Sequence, residues 1–199
     1  MKILIASRNP DKLREIQNKV SSLDIQIVSP KDFPNLPEIE EDGDTLEANA
    51  IKKAVALHKL TNLPALADDT GLEVEALDGR PGLYSARYAG PEATYQDNVK
   101  KLLEELQGIP EERRGAVFRC VLAYASGPDV KLFEGAVKGM ITDKPQGENG
   151  FGYDPVFFIP EEGKTFAQMP LERKNSISHR GLALDAWVQY LRREIMGDK

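Results

Sequence analysis

The chain has 199 residues, of which 41% are hydrophobic and 29% are charged, and these values are typical of one soluble globular domain, with two lobes at most. Its formal net charge of −6 argues against a nucleic-acid polymer or an anionic membrane as a partner, but a local basic pocket with a metal ion would still bind a nucleotide. Because Cys120 is the only cysteine, an intramolecular disulfide is excluded. No stretch resembles a signal peptide or a membrane span, so a cytoplasmic protein is expected.

The first predicted element is a strand over Ile3–Ala6 that runs directly into a helix. Asn9 is a favourable N-cap and Pro10 suits the first helical position. A helix N-terminus offers backbone N–H groups and a dipole that favour an anion, and Ser7 and Lys12 add a hydroxyl and an ammonium. The pattern predicts either a phosphate site or an ordinary capped turn. The common nucleotide fingerprints GxxxxGK[ST] and strand-following GxGxxG are absent from the sequence.

Strand and helix patterns alternate through the first half, and β patterns dominate the middle. This order predicts a mixed α/β fold, a single domain over residues 1–199 with a long, partly antiparallel sheet, flanking helices and a ligand cleft between two lobes. In chain order, the predicted elements after the first helix are a strand at 25–28, a loop at 29–44, a long helix capped by the pair Asp44 and Glu47, strands at 65–67 and 72–76, a turn at 78–82, a helix opening near Thr94, a hairpin of strands at 115–125 and 130–142, a strand at 155–159 and a closing helix.

Two acidic groups are candidates for binding a metal ion. Asp68 and Asp69 follow a short apolar run, so their carboxylates are expected at the end of a strand. Glu38, Glu40 and Glu41 crowd the loop before the long helix. Mg²⁺ prefers hard oxygen ligands and takes only a few of them from the protein. For each group alone, an ordinary turn or a solvated acidic loop is the preferred interpretation, and the nearby phosphate corner is what favours a metal.

The second half contains a different kind of candidate site. A glycine-rich loop over 147–154 presents aromatic rings beside a carboxylate, and basic residues recur near the start of the closing helix. Aromatic faces stack on a nucleobase, and Asp, Lys and Arg side chains read its edge or bind its phosphates. A β-turn followed by a histidine at a helix start would show the same pattern. The candidate residues are Phe151, Gly152, Tyr153, Asp154, Lys174, His179 and Arg180.

Six short motifs occur in order along the chain, namely Ser7-x-Asn9-x-x-Lys12, Glu47-x-Asn49-Ala50 with Lys53, Ala67-Asp68-Asp69-Thr70-Gly71, Pro81-Gly82-x-Tyr84-Ser85-Ala86-Arg87, Phe151-Gly152-Tyr153-Asp154-Pro155, and Lys174 with Ser178-His179-Arg180. Each motif is unspecific by itself, but six in register are specific. Together they resemble the inosine triphosphate pyrophosphatase family, also called XTP/dITP diphosphatases, in its bacterial and archaeal form. The resemblance covers essentially the whole chain.

The resemblance implies an elongated, two-lobed α/β fold, usually a homodimer, and Mg²⁺-dependent hydrolysis of a nucleoside triphosphate to the monophosphate and pyrophosphate. The implied substrates are the deaminated purine nucleotides ITP, dITP and XTP, which the reaction removes from the nucleotide pool. The implied roles are triphosphate binding by Ser7, Arg8, Asn9, Pro10, Asp11 and Lys12, catalysis by Lys53 and by Asp69 as proton acceptor, Mg²⁺ binding by Glu40 and Asp69, substrate contact by Thr70, and base binding by Phe151, Gly152, Tyr153, Asp154, Lys174, His179 and Arg180.

Glu38, Glu40 and Glu41 can each be aligned with the family's metal-binding glutamate. Glu40 is favoured by its separation from Gly43 along the sequence. Two other functions fit the same residues. A pyrophosphatase for modified pyrimidine triphosphates would share the general fold. A nucleotide-sensing module without turnover would share the binding residues, although the presence of Asp69, Lys12 and Lys53 argues against it.

Overall fold

The computed structural model describes residues 1–195 and 197, and its architecture is the predicted mixed α/β class. None of the helices in these residues is both long and apolar enough to cross a membrane. The strands and helices are β1 (Lys2–Ile5), α1 (Pro10–Val20), β2 (Gln26–Val28), α2 (Leu46–Thr61), β3 (Ala65–Val74), β4 (Pro81–Gly82), α3 (Tyr95–Glu105), β5 (Gly115–Ala125), β6 (Val130–Ile141), β7 (Phe157–Ile159), β8 (Lys164–Thr165), α4 (Leu171–Ile177) and α5 (His179–Tyr190).

These strands form a sheet in the order β2-β1-β3-β5-β6-β7-β8, with β4 paired to β3. β1 pairs in parallel with both β2 and β3, because α1 and α2 carry the chain back before each new strand begins. β4 pairs antiparallel with β3, and β7 pairs antiparallel with both β6 and β8. The prediction of a partly antiparallel sheet is therefore confirmed.

The described residues divide into two compact units. Unit 1 contains residues 1–69, 120–135 and the part from Arg180 onward, and unit 2 contains 70–119 and 136–179. Each unit has its own apolar core, which centres on the fully buried Trp187 in unit 1 and on the fully buried Phe157 in unit 2. The single domain predicted over 1–199 stays a prediction, and residues 196, 198 and 199 lie outside the described part.

The predicted helix starts were right in two cases and wrong in one. Asn9 caps α1 as predicted, and Thr94 caps α3. The capping pair Asp44 and Glu47 is wrong, since Thr45 is the N-cap of α2 and its side chain accepts a hydrogen bond from the Ala48 amide at 3.0 Å. The threonine hydroxyl lies three residues before this amide, which is the spacing that an N-cap side chain spans.

The segment 68–71 was predicted as a turn at a strand end, and this prediction is wrong because β3 continues through it. The strand changes partners along its length, since β1 pairs with it as far as Leu66 and β4 pairs with it at Leu72. Asp68 and Asp69 lie between these two pairings. Neighbouring residues of a strand point to opposite faces, so Asp68 is almost fully buried whereas Asp69 is partly exposed.

Candidate active site

The corner between β1 and α1 is held together by its own side chains. Asn9 Oδ1 accepts a hydrogen bond from the Asp11 amide at 2.9 Å, and Ser7 Oγ accepts one from the Asn9 amide at 3.2 Å. Pro10 at the first helical position has no N–H to donate. These two amides are therefore already used and Pro10 has none, so the cationic side chain of Lys12 adds much of the attraction that this corner has for an anion.

Asp68 is the buried carboxylate behind this corner. Its Oδ2 lies 2.8 Å from Lys12 Nζ and 3.2 Å from Nη2 of Arg180. Burial by itself would raise the pKa of Asp68, but the positive charges of Lys12, Arg180 and Lys53 outweigh burial and hold this pKa well below its usual range. Asp68 is therefore ionised near neutral pH, and it is suited to fixing cations rather than to exchanging protons.

Lys53 of α2 is buried and connects the acidic loop with β3. Its Nζ donates to the backbone oxygen of Asp68 at 2.6 Å and to Glu41 Oε1 at 2.7 Å, and it lies 4.0 Å from Asp69 Oδ1. Burial disfavours the ammonium, but the attraction of the neighbouring carboxylates prevails and raises the pKa of Lys53. The charge of Lys53 is thus secured beside Asp69.

Asn49 belongs to this site, although sequence reasoning gave it no role. Its Nδ2 donates to Asp69 Oδ2 at 3.1 Å, and its Oδ1 accepts from the Gly43 amide at 2.8 Å. One amide group therefore orients both the candidate catalytic carboxylate and the acidic loop. The signal that could have found it is the position of Asn49 one helical turn before Lys53, on the same face of α2.

Asp69 has the electrostatic character of a proton acceptor. Burial raises the pKa of Asp69, and attraction to Lys53 together with the hydrogen bond from Asn49 offsets only part of that rise. A carboxylate with a raised pKa binds a proton more readily than an exposed one, which is the property that a general base requires.

Asp69 and Glu41 are the carboxylates that lie beside Lys53 Nζ, so a magnesium ion bound there would take most of its ligands from water and phosphate. No cluster of three or more metal-binding side chains occurs in the described residues, and Mg²⁺ commonly uses only one or two carboxylates of a protein. Glu41 is engaged by Lys53, whereas Glu40 is exposed and forms no ion pair within the described part of the chain. The choice of Glu40 as a metal ligand stays a prediction.

In unit 2, Asp154 organises the glycine-rich loop. Its Oδ2 accepts hydrogen bonds from the Phe151 amide at 2.8 Å and from Lys174 Nζ at 2.5 Å. Gly150 has a φ of +73°, and a Cβ at this position would lie 2.1 Å from the same carboxylate oxygen, so this turn requires glycine. Lys174 Nζ also lies 4.7 Å from the centre of the Phe151 ring. The structure thus brings Phe151, Asp154 and Lys174 together.

Tyr153 and His179 are buried against Phe118 of β5, which sequence reasoning did not include. The His179 ring stacks on Phe118 with centroids 4.3 Å apart and planes 9° apart, and the Tyr153 ring lies 6.4 Å from Phe118. The Tyr153 hydroxyl donates to the backbone oxygen of Ser85 at 2.9 Å, and burial raises the pKa of Tyr153. Both rings support the unit from inside, and their contact with a substrate stays a prediction.

Arg180 was grouped with the base-binding residues because basic side chains recur near the start of the closing helix and because the family resemblance implies that role. The structure places its guanidinium in unit 1, where Nη1 donates to Glu15 Oε2 at 2.6 Å and Nη2 donates to Asp68 Oδ2 at 3.2 Å. Contact of Arg180 with a base stays a prediction. The remaining predicted site residues lie nearer to solvent, with Arg8 and Pro10 exposed and Asp11, Thr70 and Gly152 half-buried.

Comparison with known proteins identifies the family. Residues 3–190 match the sequence profile of the Ham1 family. The chain belongs to the Ham1 family. This finding confirms the resemblance that the six motifs indicated.

Relatives of this Ham1 protein have been named for their activity. The dITP/XTP pyrophosphatase of Geobacter sulfurreducens is 52% identical over 184 residues, which are 92% of each chain. The dITP/XTP pyrophosphatase of Thermoanaerobacter sp. is 48% identical over 191 residues, which are 96% of each chain.

Solved structures of Ham1 proteins share the fold. The HAM1 protein from Coxiella burnetii has a TM-score of 0.88 and 41% sequence identity, with 97% of this chain and 99% of that chain covered. The Ham1 protein of Staphylococcus aureus has a TM-score of 0.86 and 41% identity, with 98% and 100% covered.

Proposed function

We propose that this Ham1 protein is a Mg²⁺-dependent nucleoside triphosphate pyrophosphohydrolase that converts dITP, XTP and ITP to the monophosphate and pyrophosphate. The observation that carries the proposal is the arrangement in unit 1, where Lys12 Nζ lies 2.8 Å from Asp68 Oδ2 and Lys53 Nζ lies 4.0 Å from Asp69 Oδ1. The relatives named as dITP/XTP pyrophosphatases support the same substrate class.

The chemistry follows from charge and position. Phosphoryl transfer needs little covalent work from a protein, so most of the catalysis comes from orienting the reactants and neutralising charge. Lys12 binds the triphosphate oxygens, Lys53 adds positive charge beside Asp69, and Asp69 accepts the proton of the attacking water. Asp69 and Glu40 would hold Mg²⁺, which supplies additional positive charge to the phosphates when bound.

Base choice has an equally simple physical basis in unit 2. Hypoxanthine and xanthine carry a keto acceptor at position 6, where adenine carries an amino donor. Asp154 holds the ammonium of Lys174 over the Phe151 ring. This ammonium donates a hydrogen bond to a keto oxygen and repels an amino group. A buried polar site that is left without its partner can discriminate between substrates by as much as about 10⁴.

A nucleotide panel with and without Mg²⁺ tests this function, with pyrophosphate as the measured product. We expect ITP, dITP and XTP to exceed ATP and GTP by at least about a hundredfold in kcat/KM, and the activity to disappear when Mg²⁺ is chelated. Preference for a modified pyrimidine triphosphate would show a different pyrophosphatase, and binding without any product would show a sensor.

The homodimer and the cytoplasmic location stay predictions. Light scattering of the purified protein tests the homodimer.

Hydrolysis in ¹⁸O-labelled water should place the label in the nucleoside monophosphate. The reason is that the cations of the β1–α1 corner hold the β- and γ-phosphates while water attacks the α-phosphorus. Mass spectrometry of the two products measures the position of the label. Label in pyrophosphate would move the attack to the β-phosphorus, and a nucleoside diphosphate or early orthophosphate would indicate a phosphatase.

Glu40→Gln should raise the Mg²⁺ concentration that gives half-maximal activity by roughly tenfold or more, as loss of a group at a metal site does. Glu41→Gln is the matched control, because Glu41 is engaged by Lys53 and the two glutamates are neighbours in the same loop. The measurement is a Mg²⁺ titration of ITP hydrolysis for each variant. A larger shift for Glu41→Gln would transfer the ligand role to Glu41.

A further inference from the structure

Four charged side chains of unit 1 form a continuous array in the order Glu15, Arg180, Asp68 and Lys12. The nitrogen–oxygen distances along it are 2.6 Å, 3.2 Å and 2.8 Å, and the charges alternate in sign. The exposed fractions of the side chains are 3% for Glu15, 2% for Arg180 and 2% for Asp68, but 21% for Lys12. The array is therefore buried at one end and reaches solvent at the β1–α1 corner.

Two cations of the array share one oxygen atom. Both Arg180 Nη2 and Lys12 Nζ lie within hydrogen-bonding distance of Asp68 Oδ2. Two positive groups on one carboxylate oxygen compete for it, and the one with fewer other anionic partners is drawn closer. A second anion that pairs with Arg180 therefore weakens its competition for Asp68, and Asp68 can hold Lys12.

Glu15 is the group on that other side. It is buried and accepts a hydrogen bond from Arg180 Nη1 at 2.6 Å. Burial disfavours the guanidinium charge, yet attraction first to Glu15 and then to Asp68 raises the pKa of Arg180 above its ordinary value. Arg180 also contacts Asp68 Oδ2 through Nε at 3.3 Å and Nη2 at 3.2 Å, but its hydrogen bond to Glu15 is shorter, and a short charge-assisted hydrogen bond in a buried place is strong. Glu15 therefore balances much of the Arg180 charge.

We propose that Glu15 is a positioning residue, which acts through Arg180 and Asp68 to hold the Lys12 ammonium where a polyphosphate binds at the β1–α1 corner. The inference rests on the proposed function, from which it takes the triphosphate as the ligand of this corner. Without the charge of Glu15, the attraction of Arg180 to Asp68 competes more strongly with the attraction of Lys12 to the same oxygen, and the Lys12 ammonium is held less firmly. Polyphosphate then binds more weakly, because the Lys12 side chain must first be ordered and this costs conformational entropy.

The chain offers a matched control for a purely structural role. Lys19 and Asp185 join the same two helices, α1 and α5, through an ion pair of 2.7 Å. Lys19 lies one turn after Glu15 on α1, and the pair includes no residue of the β1–α1 corner. Because Asp185 is 47% exposed and Glu15 is 3% exposed, Asp185→Asn controls for loss of an ion pair between these helices, and coupling to Lys12 is what separates positioning from loss of a buried charge.

The test is calorimetric binding of inorganic tripolyphosphate to the whole protein, so the readout does not depend on turnover. We expect Glu15→Gln to weaken binding by about tenfold and Asp185→Asn to weaken it by less than about twofold. Glu15→Asp, which keeps the charge, should retain binding within about threefold of the wild type. Equal losses for Glu15→Gln and Asp185→Asn would overturn the inference, as would a wild type that binds no tripolyphosphate.

A double-mutant cycle with Lys12→Met shows whether Glu15 acts through Lys12. In that background Glu15→Gln should change tripolyphosphate affinity by less than about twofold, because the ammonium that Glu15 positions is gone. Full additivity would overturn the inference. Should Glu15→Gln fail to fold, Glu15→Met takes its place in the cycle, because it also removes the charge at similar volume, and full additivity with Lys12→Met would again overturn the inference. A wild type that binds tripolyphosphate but releases no pyrophosphate from any nucleotide would contradict the proposed function alone.

Discussion

Asp69→Asn should lower kcat for ITP by about 10³-fold, within the range that loss of a general base produces. The substitution keeps the volume of the side chain but removes the negative charge and the proton acceptor, which are needed most in the transition state. The hydrogen bond from Asn49 Nδ2 can persist to the new amide oxygen, so nucleotide binding should largely survive. Stopped-flow or steady-state pyrophosphate release measures kcat, and calorimetry with Mg²⁺ and a non-hydrolysable analogue measures binding.

Two comparison variants make this result specific to Asp69. Asp24→Asn alters an exposed carboxylate of the same unit and should leave kcat unchanged. Asp68→Asn removes a charge that orders cations but does not accept the proton, so it should lower kcat less than Asp69→Asn does. If Asp69→Asn retained more than about a tenth of the wild-type kcat, a loss of only about 1.4 kcal/mol, Asp69 would not be the proton acceptor.

Lys174→Met should collapse the preference for ITP over ATP, with the ratio of their kcat/KM values falling at least about tenfold. Methionine keeps the length and apolar contact of the lysine stem against Phe151 but removes the donor that favours a 6-keto base. The loss should therefore fall on ITP far more than on ATP. The measurement is the ITP/ATP ratio, which cancels any general loss of folded enzyme.

Phe151→Ala is the control for this prediction, because it alters the same loop and leaves Lys174 in place. Stacking depends little on the hydrogen-bonding groups at the edge of a base, so this variant should weaken the binding of all purine triphosphates by a similar amount, about 1–3 kcal/mol. A constant ITP/ATP ratio in Lys174→Met together with a changed ratio in Phe151→Ala would place base recognition elsewhere in the protein.

Local features of this fold could be predicted from the sequence because they depend on neighbouring residues. The cap at Asn9, the helix start at Thr94 and the paired strands Gly115–Ala125 and Val130–Ile141 all follow from side-chain chemistry and periodicity within a few positions. The six motifs indicated the family for a related reason, since their order along the chain is itself sequence information.

The tertiary structure alone decided which distant groups meet. Asp68 and Asp69 lie inside a strand, despite their turn-like composition, because β1 and β4 pair with β3 on either side of them. Asn49 reaches Asp69 across 20 positions, and Arg180 reaches Glu15 across 165. Periodicity indicates which face of an element is buried but not which partner covers it. The sequence by itself therefore determined the candidate residues, whereas tertiary packing decided that Arg180 pairs with Asp68 and Glu15.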